Sequence, residues 1–282
     1  MLVSGNDAAV ALAEFISGDI NNFAILMNQK ASSLGLVSSH FVTPHGLDND
    51  EHYTTAIELA KITDYALENE IFRKIVSTKN CTINIDGHTK ALNNTNELLG
   101  YLDGVYGVKT GFTNGANRCL VTCCKRNDFD IICVVLGCDT KKYRTLDSIS
   151  LINYAFNNFT QINIKKIIFD NFEKWKKENL SSFEINKAST LDFDLYLDIS
   201  KMISDTIVVE NNKKEKISTP IQYITYFDTP LYKNTPIGKM NINIDNETIF
   251  DIDILSKNTI KRKNVFYYMY FIAKNYFKLQ FS

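Results

Sequence analysis

Two short polar motifs could do chemistry in this chain of 282 residues. Ser4-Gly5-Asn6 carries a hydroxyl and a carboxamide, and Lys109-Thr110-Gly111, which begins 105 positions later (109 minus 4), carries an ammonium group and a second hydroxyl. A hydroxyl can pass a proton between two neighbouring groups, and an ammonium beside a hydroxyl can bind a carboxylate. Because each motif is short enough to occur by chance, their order, separation and surroundings must carry any functional inference.

Four longer stretches around these motifs indicate one family. They are residues 4–14, 26–31, 40–48 and 104–113. Together they closely resemble the D-alanyl-D-alanine carboxypeptidases of the low-molecular-weight penicillin-binding type, peptidase family S11. The resemblance is strong from residue 1 to about residue 159 and looser beyond it. It implies a serine-type carboxypeptidase that removes the terminal D-Ala from the D-Ala-D-Ala stem peptide of peptidoglycan through an acyl-enzyme, which β-lactams trap.

A third motif of that family, S-x-x-K, is missing from the 282 residues. No serine from Ser4 to Ser282 has a lysine three positions later. In the family this motif supplies the nucleophilic serine and its lysine. We therefore expect an N-terminally truncated carboxypeptidase that is inactive alone. A non-catalytic pseudoenzyme that binds cell-wall peptide is the alternative, and a β-lactamase of the same fold is disfavoured by the β-rich second part of the chain.

The resemblance implies catalytic roles for Ser4, Asn6 and Lys109. Ser4 would pass a proton between the absent lysine and the leaving amine, and the amide of Asn6 would hold the peptide carbonyl and that lysine. Lys109 and Thr110 would bind the terminal carboxylate of the substrate, which explains selectivity for a free C-terminus.

The substrate-binding set that the resemblance implies is Thr110, Gly111, Phe112, His45 and Arg144. Gly111 would let the substrate backbone approach its strand closely, and the backbone N–H of Phe112 would be one of two oxyanion-hole donors. His45 lies on a loop that borders the cleft in the family, with a purely structural role in ordering that loop as the alternative. For Arg144 the alternative is a solvated charge at the start of a helix.

The composition excludes several function classes. The formal net charge is -1 and the lysines are scattered, which argues against a nucleic-acid partner. His40, His52 and His88 have no spacing to a thiol or carboxylate that makes a metal site, so we expect surface roles for them and no metal or cofactor. Six cysteines, five of them at residues 119–138, are expected to be buried strand residues, with a disulfide between neighbouring strands as the alternative.

The hydrophobic spacing predicts an α+β fold. Helices are expected over residues 7–17, 22–34 and 139–159, and over a segment that starts at Thr54 or Thr55 and runs to about residue 69. In that last segment the residues expected to face inward are Ile57, Ala60, Ile62, Tyr65 and Ala66. Strands are expected over residues 81–85 and 106–112, followed by a hairpin that turns at Asn127-Asp128. Residues 1–160 should form an incomplete β-lactamase/transpeptidase-like domain.

Beyond residue 160 the pattern changes to short alternating runs. Strands over residues 162–169, 182–185, 191–197, 206–210 and 240–244 predict a small all-β domain at 161–257.

Residues 258–282 should end in an amphipathic helix. A helical wheel from Asn264 to Ser282 places Val265, Phe266, Met269 and Ile272 on an apolar side. The apolar run is shorter than the ~20 residues of a spanning helix, so a membrane surface is the expected partner. The basic residues just before it would suit anionic headgroups: Lys257, Lys261, Arg262 and Lys263. Docking on the chain's own core is the alternative. The chain shows no signal peptide, and the full-length protein is expected to be extracytoplasmic and membrane-associated.

Overall fold

The computed structural model describes residues 1–190 and 192–280. In the last helix, the side chains of residue 271 and of residues 274–280 also lie outside the description. The first position of the strand predicted over 191–197, and the end of the predicted tail helix at Ser282, therefore fall outside the described residues. The chain divides into two compact units, Met1–Asn158 and Phe159–Ser282.

The described part of the first unit contains five helices. They are α1 (Asn6–Ser17), α2 (Ile20–Ser33), α3 (Ala56–Leu67), α4 (Glu70–Ser77) and α5 (Lys141–Asn158). The Asp19 side chain accepts from the backbone N–H of Asn22 at the start of α2, and Thr55 does the same for Glu58 at the start of α3. All four predicted helices are confirmed, and the third corresponds to α3, whereas α4, which begins after the Asn69 cap, was not predicted.

The buried face of α3 differs from the prediction. Ile57, expected to face inward, is 70% exposed, and Tyr65 is 42% exposed. The position after Ile57 is buried instead, because the Glu58 carboxylate accepts hydrogen bonds from the backbone N–H groups of Val37 and Ser38. Those bonds compensate for removing a charge from water, and hydrophobic periodicity alone does not detect them.

A three-stranded antiparallel sheet carries the second motif. Its strands are β3 (Val105–Thr113), β4 (Asn117–Arg126) and β5 (Phe129–Cys138), in the order β3-β4-β5. A separate hairpin precedes it, formed by β1 (Asn80–Ile85) and β2 (His88–Asn93). The predicted turn at Asn127-Asp128 is confirmed, and Asn127 has the positive φ of 53° that such a turn requires. Because β3 is an edge strand, one side of Lys109-Thr110-Gly111 is free of sheet pairing.

Gly104 fixes the path of the chain into β3. Its φ is +81°, and a Cβ at this position would lie 2.3 Å from the carbonyl oxygen of Lys125. The backbone N–H of Lys125 donates to the Gly104 carbonyl at 2.9 Å. Glycine is required here for both its conformation and its size.

The second unit is rich in short strands. They are β6 (Phe159–Ile162), β7 (Glu184–Asn186), β8 (Leu195–Asp198), β9 (Ile207–Glu210), β10 (Ile217–Ser218), β11 (Ile221–Tyr223), β12 (Tyr226–Asp228), β13 (Pro236–Ile244) and β14 (Glu247–Ser256). The largest sheet has the order β10-β13-β14-β8, with β11 also paired to β13. The α+β class, with a β-rich second part, is confirmed.

The strand predicted over residues 162–169 is wrong for most of its length. Only β6 at its start is extended, and helix α6 (Ile164–Asn179) follows. Ile164, Ile168 and Phe172 recur every four residues and are buried in the core of this unit. Asn163 caps the helix by accepting from the backbone N–H of Lys166. The four-residue period and the cap outweigh the local alternation that suggested a strand.

The tail forms helix α7 (Val265–Gln280). Its described side chains are exposed, including Val265 at 70% and Ile272 at 67%, so the alternative of docking on the chain's own core is wrong for them. Among the described residues, no single helix has the length and apolar character to cross a membrane. The pair α1 and α2 passes that test together by length and composition, with an 83° bend between the two helices.

Candidate active site

One cleft of the first unit contains every predicted site residue. Its volume is about 670 Å³. The residues of the prediction that line it are Ser4, Asn6, His45, Lys109, Thr110, Gly111, Phe112 and Arg144. The fold therefore joins two motifs that stand 105 positions apart in the sequence.

Ser4 and Lys109 are in direct contact. The ammonium group of Lys109 donates to Ser4 Oγ at 2.7 Å and to the backbone carbonyl of Thr110 at 2.6 Å. Ser4 lies in the turn before α1 with a φ of 57°, a left-handed conformation that is uncommon for a residue with a side chain. Asn6 is the first residue of α1 and lines the same cleft.

The environment of Lys109 favours proton exchange. Burial lowers the pKa of its ammonium group below the ordinary lysine value, since removing the charge from water disfavours the protonated form. Because the ammonium donates to Ser4 Oγ, the single hydrogen of the Ser4 hydroxyl is available to another acceptor. The pair can therefore relay a proton toward a group bound in the cleft.

The wall along β3 presents polar and aromatic groups. The Thr110 and Thr95 hydroxyl oxygens are 2.6 Å apart. Phe112 is 52% exposed, and the guanidinium carbon of Arg118 lies 3.5 Å from the centre of its ring. A Cβ at Gly111 would meet only Cys119 Cβ, at the ordinary contact distance of 3.6 Å, so the protein itself leaves room at this position.

Arg144 is a buried cation, and the alternative of a solvated charge at a helix start is wrong. Its side chain is 4% exposed and lies 3.2 Å from a carboxylate oxygen of Glu97. The same carboxylate is 2.7 Å from Lys141 Nζ and accepts from the Thr145 hydroxyl. Burial alone would raise the pKa of Glu97, but the hydrogen bonds from Lys141 and Thr145 and the charge of Arg144 lower it below the ordinary value. Among the described residues, Arg144 Nε is buried without a hydrogen-bond partner.

The loop that carries His45 is tied to the hairpin of β3 and β4. His45 Nδ1 accepts from the backbone N–H of Leu47 at 3.2 Å, so this side chain orders its own loop as well as lining the cleft. Asp48 accepts from the backbone N–H of Gly115 at 3.0 Å. The hydrogen bonds from Thr113 and Gly115 lower the pKa of Asp48, which keeps this link anionic at neutral pH.

His52 is more structural than the sequence suggested. It is partly buried, and its Nδ1 accepts from the backbone N–H of Val42 at 3.1 Å. Burial is the main cause that lowers the pKa of His52. The expected surface role is therefore wrong for this histidine. Among the described residues, no cluster of three or more His, Cys, Asp or Glu side chains could hold a metal ion.

All six cysteines are free thiols, so the disulfide alternative is wrong. Cys123, Cys124 and Cys133 are buried in the sheet, as predicted, and the other three are partly buried. Burial raises the pKa of Cys133 to about 11 and that of Cys123 to about 12. These thiols stay protonated at neutral pH and act as small apolar side chains.

Four further residues belong to the site and were missed from the sequence. Thr95, Arg118 and Lys141 line the cleft, and Glu97 pairs with two of its cations. The only signal for Thr95 and Glu97 was a polar segment after a predicted strand, which indicates a loop and no more. Their roles follow from contacts with residues 15 to 48 positions away.

Comparisons with known proteins give a match for each of the two parts of the chain. The family model described as D-alanyl-D-alanine carboxypeptidase matches residues 1–140, and the model described as penicillin-binding protein 5, C-terminal domain, matches residues 197–262. The D-alanyl-D-alanine carboxypeptidase DacF of Bacillus subtilis is 29% identical over 265 residues, covering 93% of this chain and 64% of the relative. DacA of Escherichia coli K12 is 30% identical over 266 residues, covering 94% of this chain and 62% of the relative.

Solved structures show the same likeness. Penicillin-binding protein 5 from Haemophilus influenzae matches with a TM-score of 0.65 and 26% identity, over 93% of this chain and 72% of that protein. A serine-to-alanine mutant of the Streptomyces K15 DD-transpeptidase matches with a TM-score of 0.54 and 34% identity, over 56% of this chain and 65% of that protein. The chain thus spans just under two thirds of the length of the curated relatives DacF and DacA.

Proposed function

The chain belongs to the D-alanyl-D-alanine carboxypeptidase family S11, and from this premise we propose that its cleft binds the D-Ala-D-Ala end of peptidoglycan stem peptides. In this proposal residues 1–160 are the substrate-binding part of a serine-type carboxypeptidase, residues 161–257 are its second domain, and residues 258–282 are the tail. The reaction would remove the terminal D-Ala during peptidoglycan maturation. No cofactor is needed for this acyl transfer.

The hydrogen bond between Lys109 and Ser4 carries the proposal. It joins the S-x-N and K-T-G motifs at 2.7 Å inside one cleft, which neither motif alone could indicate. In the proposed reaction, the Ser4 hydroxyl gives a proton to the leaving amine, and Lys109 stabilises the oxygen it leaves behind. Asn6, at the start of α1, would hold the peptide carbonyl through its amide.

A free carboxylate fits the cationic end of the same cleft. Lys109 and the Thr110 hydroxyl would donate to it from β3, and Arg144, which lines the cleft from α5, would add a positive charge. Phe112 follows Gly111 on the edge strand, and its backbone N–H would serve as an oxyanion-hole donor. His45 would line the cleft from its own loop.

The acylation step needs a nucleophile that the 282 residues do not supply. None of their serines has a lysine three positions later, so we propose that this chain alone forms no acyl-enzyme. The truncated-carboxypeptidase hypothesis places the S-x-x-K serine on a preceding segment. The pseudoenzyme hypothesis keeps only peptide binding and is the second candidate, since both hypotheses expect a cleft whose polar groups could hold a carboxylate.

The tail supports a location at a membrane surface, and the family supports a location outside the cytoplasm. The described side chains of α7 are apolar or aromatic for the most part and exposed, and Lys261, Arg262 and Lys263 lie just before the helix. Apolar side chains next to a basic segment favour an interface with anionic lipid. We therefore propose that the intact protein is an extracytoplasmic, membrane-associated enzyme.

Binding and labelling test these proposals separately. The ligands are an acetylated tripeptide ending in D-Ala-D-Ala with a free carboxylate and the same peptide with a C-terminal amide, titrated into the 282-residue chain by NMR. We expect preference for the free acid, and Lys109→Met should weaken acid binding by roughly tenfold or more, because a charge-assisted hydrogen bond is lost. Lys125→Met removes one exposed charge of β4 outside the lining of the cleft and should change little.

Two outcomes would contradict the proposals. Equal binding of acid and amide would refute carboxylate recognition. Covalent labelling of the 282-residue chain by a fluorescent penicillin, or release of D-alanine from a muramyl pentapeptide by this chain alone, would refute the missing-nucleophile hypothesis. A chain that begins upstream and includes an S-x-x-K serine should be labelled.

A further inference from the structure

Residues 94–97 form a short segment between β2 and β3 that contacts the turn before α1 and the strand of the second motif. The backbone N–H of Thr95 donates to the carbonyl of Leu2 at 3.1 Å, two positions before Ser4. The Thr95 hydroxyl oxygen lies 2.6 Å from Thr110 Oγ1. Thr95 is therefore bonded on one side to the turn that carries Ser4 and on the other to the strand that carries Thr110.

The neighbours of Thr95 hold it in place. Asn96 is 2% exposed, and its amide donates to the carbonyl of Gly107 on β3 at 2.8 Å. The side-chain oxygen of Asn94 accepts from the backbone N–H of Asn96 at 2.9 Å, and its amide donates to the carbonyl of Thr78 at 3.1 Å. These bonds fix the backbone on both sides of Thr95 without using its hydroxyl. The contact with Thr110 is thus separable from the fold of the segment.

A carboxylate in the cleft would decide the direction of the bond between the two threonines. Each hydroxyl has one hydrogen, and a carboxylate can only accept. If Thr110 donated to Thr95, it would have no hydrogen for the ligand. When Thr95 donates to Thr110 instead, the Thr110 hydrogen is free for the ligand, and a hydroxyl that accepts one hydrogen bond donates a stronger one.

We propose that Thr95 is a substrate-positioning residue whose hydroxyl donates to Thr110 and thereby directs the Thr110 hydroxyl to the terminal carboxylate of the ligand. This inference rests on the proposed function, because it specifies how the same cleft recognises a free C-terminus. Thr95 acts through Thr110 and needs no contact of its own with the reacting atoms. It also accounts for an exposed threonine whose hydroxyl is within 2.6 Å of a motif residue.

The test compares five forms of the 282-residue chain: wild type, Thr95→Val, Thr95→Ser, Thr110→Val and the double variant Thr95→Val/Thr110→Val. Each is titrated with the acetylated D-Ala-D-Ala tripeptide as free acid and as amide. Valine has nearly the shape of threonine and keeps the backbone N–H, and the position is exposed, so the fold should be unchanged. NMR spectra of the free variants check this directly.

We expect Thr95→Val to weaken binding of the acid by roughly three- to tenfold, the range of one net hydrogen bond, and to leave the amide unaffected. Thr95→Ser should bind like the wild type, because it keeps the hydroxyl. In the Thr110→Val background, Thr95→Val should have no further effect, since the hydroxyl it directs is gone.

Three results would overturn the proposal. Wild-type affinity in Thr95→Val would show that the hydroxyl is not used. Equal weakening of acid and amide would assign Thr95 a general structural role, and additive losses in the double variant would separate it from Thr110. If the wild type itself fails to prefer the acid, the proposed function and this inference fall together, whereas a preference that Thr95→Val retains removes only the inference.

Discussion

Replacing Glu97 by glutamine should destabilise the first unit by leaving a buried cation without its partner. The Arg144 side chain is 4% exposed and its guanidinium lies 3.2 Å from the Glu97 carboxylate, whose side chain is 35% exposed. At an effective dielectric constant of about 20, two unit charges at this distance attract by 332/(20 × 3.2), or about 5 kcal/mol. Solvent at Glu97 screens part of this attraction, and glutamine regains the cost of burying a carboxylate.

The expected net loss is therefore about 2 kcal/mol, between the 3–5 kcal/mol of a broken buried pair and the 0.2–1 kcal/mol of an exposed one. Lys141→Gln is the matched control, because it removes the other cation on the same carboxylate from a side chain that is 60% exposed. It should cost less than about 1 kcal/mol. Adding Arg144→Met to Glu97→Gln should recover part of the loss, since an apolar side chain of similar length needs no counter-charge.

Hydrogen exchange measured by mass spectrometry gives the readout on the whole chain. A loss of about 2 kcal/mol should speed exchange of α5 amides by roughly 30-fold, while peptides from β13 and β14 serve as the internal reference. The lowered pKa of Glu97 means that the folded state favours its carboxylate. Its stabilisation is full above the ordinary glutamic acid pKa of about 4.3 and is lost as pH falls through the lowered folded value, so wild type and Glu97→Gln should converge in acid.

Two results would refute this reasoning. If Glu97→Gln exchanged at the wild-type rate at pH 7, the carboxylate would not be the counter-charge that keeps Arg144 buried. If Lys141→Gln were more damaging than Glu97→Gln, the exposed member of the cluster would matter more than the buried one. Either result would also weaken the assignment of Arg144 to the cationic end of the cleft.

Two further predictions follow from the packing around the sheet. Gly104→Ala should destabilise the first unit by about 2 kcal/mol or more, because it combines a positive φ with a Cβ 2.3 Å from the Lys125 carbonyl oxygen. Gly137→Ala, at a φ of +73° with open space around it, should cost less. The prediction is contradicted if both variants lose the same amount of hydrogen-exchange protection in α4 and β3. Thiol titration of the native chain should modify the three partly buried cysteines first, which are Cys81, Cys119 and Cys138. The three buried cysteines should react only in denaturant: Cys123, Cys124 and Cys133. Rapid reaction of all six in the native chain would contradict their burial and the raised pKa values.

The parts of the fold that local rules determine could be predicted from the sequence. The hairpin turn at Asn127-Asp128 and the helix that starts after Thr55 depend on residues close together in the chain, and both are confirmed. The strand predicted over residues 162–169 failed because alternation over a few residues competes with a four-residue period. There the tertiary core decides, since it buries Ile164, Ile168 and Phe172 on one helix face.

The two family motifs present in this chain could be found from their amino-acid sequence, but the groups that position them could not. Thr95 and Glu97 have ordinary neighbours in the sequence and acquire their contacts only when β3 and α5 fold beside them. The Arg144 charge can be buried because the Glu97 carboxylate lies 3.2 Å from it. The sequence does not reveal this pair, since the two residues are 47 positions apart in the chain. A prediction based only on the position of Arg144 in its own helix therefore gives an exposed side chain. In the proposed function, discrimination between a free carboxylate and an amide would depend on how Thr110 and Arg144 are held. We therefore expect the segment at residues 94–97 to control specificity, although no motif includes it.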